Sequence, residues 1–388
     1  MKKILFSAAM ALVLVSCSRD EVIEVNRDSD VIEFGVVTNA STRAADVYCN
    51  NNKPGGFTVY ADYDGKPYID ADVIKYQNSK WENTSGVRYW PAGEVTFYAH
   101  VNSDGKFTGT DFTENPNVAP QIKDYTVPKT VADQKDLLYA VKTQSKGKVT
   151  LNFRHALSQI VFQAKNTNKN LYVEIDGVTI CNLGNTNTFT YPTANTDDNI
   201  INHNGEGETT TTGAWGTWEN LTGGNTDYPV TFTAVPVPGD GAVQSLTNTN
   251  VTGKEFSSNA MLLLPQTTAA WVPSTTSADP DADTQYGSYF LVKCSIYNVS
   301  GTAVDKTKDV CLWGGTETKN VAIPADFRWE QGKKYIYTFV FGDGNGGYNP
   351  DPDPTDPEPD PVLVPITFDV TVDDFVPVTQ PETPMETK

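Results

Sequence analysis

Arg43 is where this sequence offers chemistry to an outside agent. It stands in "NASTRAAD", residues 39–46, a run of small and polar side chains holding a single cation. "VIEFGVVT" (31–38) before it and "GGFTVYADY" (55–63) after it both read as β-strands. A lone cation on an accessible backbone between two strands is either an ordinary surface loop or a cut site for a trypsin-like protease, with Arg43–Ala44 as the scissile bond. The other reactive side chains form no recognisable machinery. His100, His155 and His203 do not cluster with the cysteines, and no CxxC pair occurs, so no zinc site is read. There is no GxSxG elbow, HExxH, P-loop or His-centred triad. The reading is non-enzymatic, with no cofactor.

The elements around Arg43 are strands. "GFTVYADY", "EVTFYAHV", "KVTLNF", "SQIVFQAK", "LYVEIDGVTI", "YPVTFTAVPV", "AMLLLPQ", "SYFLVKCSIY" and "KKYIYTFVFG" are short and rich in β-branched or aromatic residues, with Gly, Asn, Asp and Pro clusters between them. "VADQKDLLYAV" is the best helical candidate, with a turn followed by a strand as the alternative. Such a series predicts an all-β chain of antiparallel sandwiches. A domain boundary is expected near Lys146 and the end of a second domain near Gly347. The polar stretches at 193–226 and 273–288 read as surface loops.

Beyond Gly347, "NPDPDPTDPEPDP" favours an extended, polyproline-like rod, and at about 3.1 Å per residue it reaches several nanometres. The rod leads to "PITFDVTVDDFVPV", where Ile366, Phe368, Val370 and Val372 alternate with Thr367, Asp369, Thr371 and Asp373. An isolated strand is unstable in water, so this one needs a sheet, in its own chain or in a neighbour. Its row matches the strand before Arg43: Ile32, Phe34, Val36 there, Ile366, Phe368, Val370 here, both I-x-F-x-V. Either strand presents the same side chains in the same order to one face of a sheet. That points to strand exchange: the first strand fills a groove, a cut after Arg43 frees it, and the C-terminal strand of another copy replaces it. Burying three such side chains contributes roughly 5–9 kcal/mol.

The composition narrows the partners. With 29 Lys and Arg against 48 Asp and Glu, the net charge of -19 argues against binding nucleic acid or an anionic membrane through charge. Lys2 and Lys3 followed by "ILFSAAMALVLV" read as a signal peptide, and its end, "LVSC" (14–17), resembles the lipobox of bacterial lipoproteins. That resemblance implies cleavage before Cys17 and acylation of Cys17, anchoring the precursor in the outer membrane. The "SRDE" that follows resembles a surface-export signal. Of the other cysteines, Cys49, Cys181, Cys294 and Cys311, the last two lie in neighbouring strand candidates, either facing each other across a hairpin or present as buried thiols.

As an ordered series, several motifs resemble the fimbrillins, the type V pilins of anaerobic Gram-negative bacteria. They are the lipobox, "TRA" (42–44), "RYWPAGEVTFYAH" (88–100), "FRHALSQIVFQAKN" (153–166), "LLLPQ" (262–266) and "FRWEQGKKYIYTF" (327–339). The resemblance implies an all-β fold of two transthyretin-like antiparallel β-sandwich domains with an extended C-terminal donor strand. It also implies lipoprotein export, removal of a propeptide by an Arg-specific protease, and polymerisation with identical or related pilin subunits. Carried over, Cys17 is the lipidated residue, Arg43–Ala44 the scissile bond, Ile32, Phe34 and Val36 the leaving strand, and Ile366 to Val372 the donor strand. The expected organisation is signal peptide 1–16, propeptide 17–43, sandwiches 44–146 and 147–347, linker 348–361, and C-terminal strand and tail 362–388.

The alternative is a surface glycan-binding lipoprotein, with Trp215 and Trp218 of "GAWGTWEN" stacking on sugars or else packing onto the domain surface. Trp81, Trp90, Trp313 and Trp329 lie in or beside strands and are expected to fill cores. "DYDGKPYID" and "GDGNGGYNPD" offer oxygens near Gly, as calcium loops or as solvated turns, but neither completes an EF-hand.

Overall fold

Alternation of β-branched and aromatic residues with polar ones produces strands over most of the described residues. The computed structural model describes residues 31–38, 55–101, 119–196, 215–247, 260–272, 287–301, 303–342, 347–350 and 366–374. The first strands are β1 (Phe34–Thr38), β2 (Gly56–Tyr63), β3 (Lys66–Gln77), β4 (Lys80–Asn83), β5 (Val95–Val101), β6 (Gln121–Thr126), β7 (Leu138–Gln144) and β8 (Val149–His155). All except β6 close a barrel in the order β1-β4-β3-β2-β5-β7-β8. The β2–β3 hairpin turns at Asp64 and Gly65, both at positive φ, and the Gly65 amide donates to Asp62 Oδ1 at 2.9 Å. This is the twist-matched two-residue turn, and it accounts for the "DYDG" run. "VADQKDLLYAV" is one 3-10 turn, Val131–Asp133, leading into β7.

The barrel encloses Ile32, Phe34, Val36, Phe57, Val59, Ile69, Ile74, Trp90, Val95, Phe97, Leu151 and Phe153 among others. Trp90 is fully buried edge-on to Phe97, and its indole N–H reaches Gly147 O at 3.1 Å. Arg88, two residues earlier, makes a bidentate pair with Asp72 (2.7 and 2.8 Å) on β3. The "RYWP" motif therefore ties the segment between β4 and β5 to the barrel wall.

Twelve strands follow: β9 (Ser158–Asn166), β10 (Leu171–Leu183), β11 (Thr186–Thr190), β12 (Thr217–Thr222), β13 (Thr226–Pro238), β14 (Gln244–Ser245), β15 (Met261–Leu263), β16 (Tyr289–Asn298), β17 (Val310–Trp313), β18 (Lys319–Pro324), β19 (Lys333–Phe341) and β20 (Ile366–Asp374). One sheet runs β13-β10-β16, with β17 and β18 both on β16. The other runs β9-β19-β20, with β14 and β15 on β9. Phe290 of β16 meets Phe162 of β9 and Phe339 of β19 edge-on at 6.1 and 5.2 Å, so the two sheets face each other through a second core. A small sheet, β12-β11-β6, adds Phe189 and Ile122 to that core.

The boundary expected at Lys146 does not separate the sheets. Gly147, at φ +84°, belongs to the turn of the β7–β8 hairpin, and β8 pairs with both β7 and β1 in the barrel. The glycine and lysine cluster reads as a linker but is a tight turn. β6, on the other side of it in sequence, pairs with β11 and packs into the second core. The chain passes from one core to the other at Ala156–Leu157 instead. There Arg154 donates to Thr196 O (2.7 Å), His155 Nδ1 meets Asp136 Oδ2 (2.8 Å), and the Trp218 indole donates to Ala156 O (2.7 Å). The stretch read as a loop at 193–226 contributes β12 as a strand.

Cys311 lies opposite Tyr297 on β16, not opposite Cys294, and neither thiol is in a disulfide. Cys294 is buried with its thiol pushed far up by desolvation, which makes it an inert core side chain.

Candidate functional site

β1 is local in sequence and central in packing. Ile32, Phe34 and Val36 are 5, 3 and 9% exposed, and Phe34 sits edge-on to Phe57 and Phe97 at 6.0 and 5.9 Å. The period of two drives all three into the barrel. Its two edges are held unequally. On one side β1 runs parallel to β8 along its whole length, from Phe34 opposite Val149 to Thr38 opposite Phe153. On the other, β4 pairs with it at Phe34 opposite Trp81 alone, with a bridge from Val31 to Tyr89 and the Ile32 amide on Arg88 O (2.9 Å) nearby. An opening of about 630 Å³ lies along that second edge, bordered by Glu33, Trp81, Arg88 and Lys148. Between β1 and β4 themselves the seam is closed by one residue pair.

Gly35 occupies the middle of β1, an unusual place for glycine in a strand. The end of the Lys148 side chain lies across it: a Cβ built there would stand 2.8 Å from Lys148 Cε and 3.5 Å from both Lys148 Nζ and Thr150 Oγ1. The sequence reading did not single out Gly35 or Lys148; a glycine inside an otherwise alternating strand is the signal that marks the place.

The C-terminal strand folds back in its own chain. β20 pairs antiparallel with β19 from Phe341 opposite Ile366 to Lys333 opposite Asp374, at the edge of its sheet. Ile366 is 1% exposed, and Phe368 is half-buried against Phe290 and Tyr337 at 5.4 and 5.8 Å. Val370 and Val372 are 49 and 51% exposed. Asp369 pairs with Lys165 of β9 at 3.2 Å. Its fit is therefore good at the start and loose towards the end, whereas Ile32, Phe34 and Val36 are all buried. Cys17, Arg43, Ala44 and Cys49 lie outside the described residues.

The two tryptophans of "GAWGTWEN" serve packing contacts. Trp218 packs on Phe189 and Tyr125 at 5.1 and 5.7 Å, and the Arg154 guanidinium lies 4.3 Å from the centre of the Trp215 ring. Both border an open groove of about 610 Å³ together with Trp329 and Gln331. The Gln331 side-chain amide is committed inward, to Gly216 O and Tyr139 OH. Trp90 and Trp329 are buried; Trp81 and Trp313 are partly so. Among the described residues no group of His, Cys, Asp and Glu is arranged to hold a metal ion.

The chain matches the model of a protein family described as fimbrillin-like over residues 42–352. The protein belongs to the fimbrillin-like family. The matched span begins beside Arg43 and ends inside the Pro/Asp run, leaving both I-x-F-x-V strands of this fimbrillin-like chain outside it. Among solved structures, a fimbrial protein from Bacteroides vulgatus is similar at 14% identity and a TM-score of 0.50, covering 88% of this chain and 98% of its own. A candidate cell adhesion protein from Parabacteroides distasonis is 11% identical with a TM-score of 0.45, covering 89% of this chain and 99% of its own. Another, from Bacteroides ovatus, is 14% identical with a TM-score of 0.43, covering 91% and 100%. The first of these likenesses concerns the fold. No curated protein matches the sequence.

A titratable group in the fimbrillin-like barrel makes its stability depend on pH. His100 of β5 is buried, stacks on Tyr60 (5.9 Å) and meets Tyr191 OH at 3.3 Å; burial pushes its imidazole down to about 4. The folded chain then binds fewer protons than the unfolded chain between about pH 6.5 and 4, so acidification through that window destabilises it, by about 3 kcal/mol once complete. The difference in urea stability between wild type and His100→Gln should shift by that order from pH 7 to pH 4. A difference that is constant with pH would show that His100 is not held neutral.

Proposed function

We propose that the chain is a structural pilin subunit of a surface fimbria that supports cell adhesion. It is exported as a lipoprotein acylated on Cys17 and cut between Arg43 and Ala44. It polymerises when the berth of β1 takes the C-terminal strand of another copy. The observation that carries this reading is how β1 is held. Its side chains are core residues of the barrel, yet it belongs to the segment ahead of Arg43 and meets its neighbour β4 at a single residue pair. A cut after Arg43 severs that strand from the rest of the chain.

Physical chemistry gives the cut a direction. While β1 is tethered, it competes for its berth at the high effective concentration of an intramolecular ligand. After the cut it is a separate peptide and dilutes away once it leaves. The incoming strand matches its I-x-F-x-V row and improves its own burial, because Val370 is half-exposed on β19 while Val36 is 9% exposed in the barrel. That gain is about 1 kcal/mol, a fraction of a fully buried valine. The Pro/Asp segment supplies the reach.

Arg43→Ala tests the reading. The wild-type chain, treated with a trypsin-like protease, should yield a product beginning at Ala44 and form fibres visible by electron microscopy. The Arg43→Ala chain should remain folded and monomeric under the same treatment. Fibres of normal length from that variant would mean that the berth opens by another route.

A further inference from the structure

Strand exchange of this kind needs something to set the register, since an I-x-F-x-V row slipped by two residues still presents apolar side chains to the barrel. We infer that Asp369 of the incoming strand and Lys148 of the receiving copy form the ion pair that sets it, with Gly35 of β1 offering no side chain of its own at that place beforehand. This rests on the strand-exchange reading above.

Three observations converge. With Ile366, Phe368 and Val370 in the places of Ile32, Phe34 and Val36, the residue that replaces Gly35 is Asp369. A side chain growing from position 35 runs directly towards Lys148 Nζ and Thr150 Oγ1, each 3.5 Å from where its Cβ would be. The only close obstacle is Lys148 Cε at 2.8 Å, the far end of a flexible and exposed side chain, which swings aside easily. An aspartate there places a carboxylate beside an ammonium and a hydroxyl donor, a charge-assisted arrangement that Gly35 itself cannot make.

The same carboxylate is already engaged before exchange. In its own chain Asp369 pairs with Lys165 at 3.2 Å. Exchange therefore moves Asp369 from Lys165 of one copy to Lys148 of the next, and the charge has a lysine partner in both states. A slip of two residues that carries Asp369 to position 37, opposite Asn152, breaks this and leaves Thr367 at position 35. The opposite slip sets Thr371 at position 35 and moves Asp369 to position 33, away from the Thr150 hydroxyl. Register selection of this kind acts through one charged position on the strand face opposite the apolar row.

The test uses the full chain cleaved after Arg43 and a synthetic peptide of residues 362–378, with binding followed by a fluorescent label on the peptide. Lys148→Glu in the protein should weaken binding roughly three- to tenfold, as expected for converting a solvent-exposed ion pair into a like-charge pair. The Asp369→Lys peptide should bind wild type more weakly and the Lys148→Glu protein more tightly than the native peptide does. The effect should shrink at about 1 M salt. Lys148→Gln, with unchanged melting temperature, controls for damage to the fold and should give an intermediate loss. If the native peptide binds but Lys148→Glu has no effect, or the Asp369→Lys peptide fails to recover binding, the pair is refuted while strand exchange stands. If the native peptide does not bind the cleaved wild-type chain, strand exchange fails, and this inference with it.

Discussion

Phe34→Ala is expected to cost the uncleaved chain about 3–5 kcal/mol, the range for deleting a buried aromatic side chain. Phe34 is 3% exposed and touches Phe57 and Phe97 edge-on, so the substitution leaves a cavity at the centre of the barrel. Phe368→Ala, at a half-buried edge position, should cost less than half of that. Thermal or urea unfolding of the two variants measures the contrast. The decisive comparison comes after cleavage at Arg43: if β1 leaves, the Phe34→Ala and wild-type products are the same molecule. Their melting curves should coincide and their fibres should grow alike. A deficit that survives cleavage would mean that β1 stays in its berth, and the proposed exchange would then be wrong.

The second large effect concerns β20. A chain ending at Asp360 should stay folded but lose roughly 2–5 kcal/mol from the second core, because Ile366 is fully buried and Phe368 covers Phe290 and Tyr337. The sheet survives because β20 is its edge strand and β19 keeps its pairing with β9. Assembly should fail altogether. This chain still has a berth to offer and no strand to give. Mixed at a few per cent with wild type, it should therefore shorten fibres by ending them, which length distributions from electron microscopy would record. Long fibres from the cleaved, truncated protein alone would exclude β20 as donor.

Much of the fold was legible because buried strands announce themselves. "GFTVYADY" is β2 residue for residue, and "KKYIYTFVFG" contains β19 with one residue to spare. The strands that went unread, such as β3, β6 and β12, carry polar side chains over much of their length, so hydropathy alternation is weak there. Hydrogen bonding to neighbours makes them strands, and that is a tertiary effect. The boundary near Lys146 was misread because Gly and Lys serve a hairpin turn and a linker equally well. At the site, the I-x-F-x-V rows were legible as side-chain lists. Their sheet partners were not: that β1 lies parallel to β8, and that β20 rests on β19 in the same chain, depends on contacts distant in sequence. Lys148 and Lys165 were unreadable for the same reason.

The unequal edges of β1 have a mechanical consequence. Its pairing with β8 runs along the strand, so a pull parallel to the strand axis loads all of those hydrogen bonds together, in shear. A pull across the strand applied at one end takes the β8 bonds one at a time, and β4 resists it only through the Phe34–Trp81 pair. The same berth is thus stiff in tension and weak in peeling. A strand that enters from the side and afterwards bears load along its length would experience the low barrier on the way in and the high one in service, so a filament built on this seam would be easier to assemble than to pull apart.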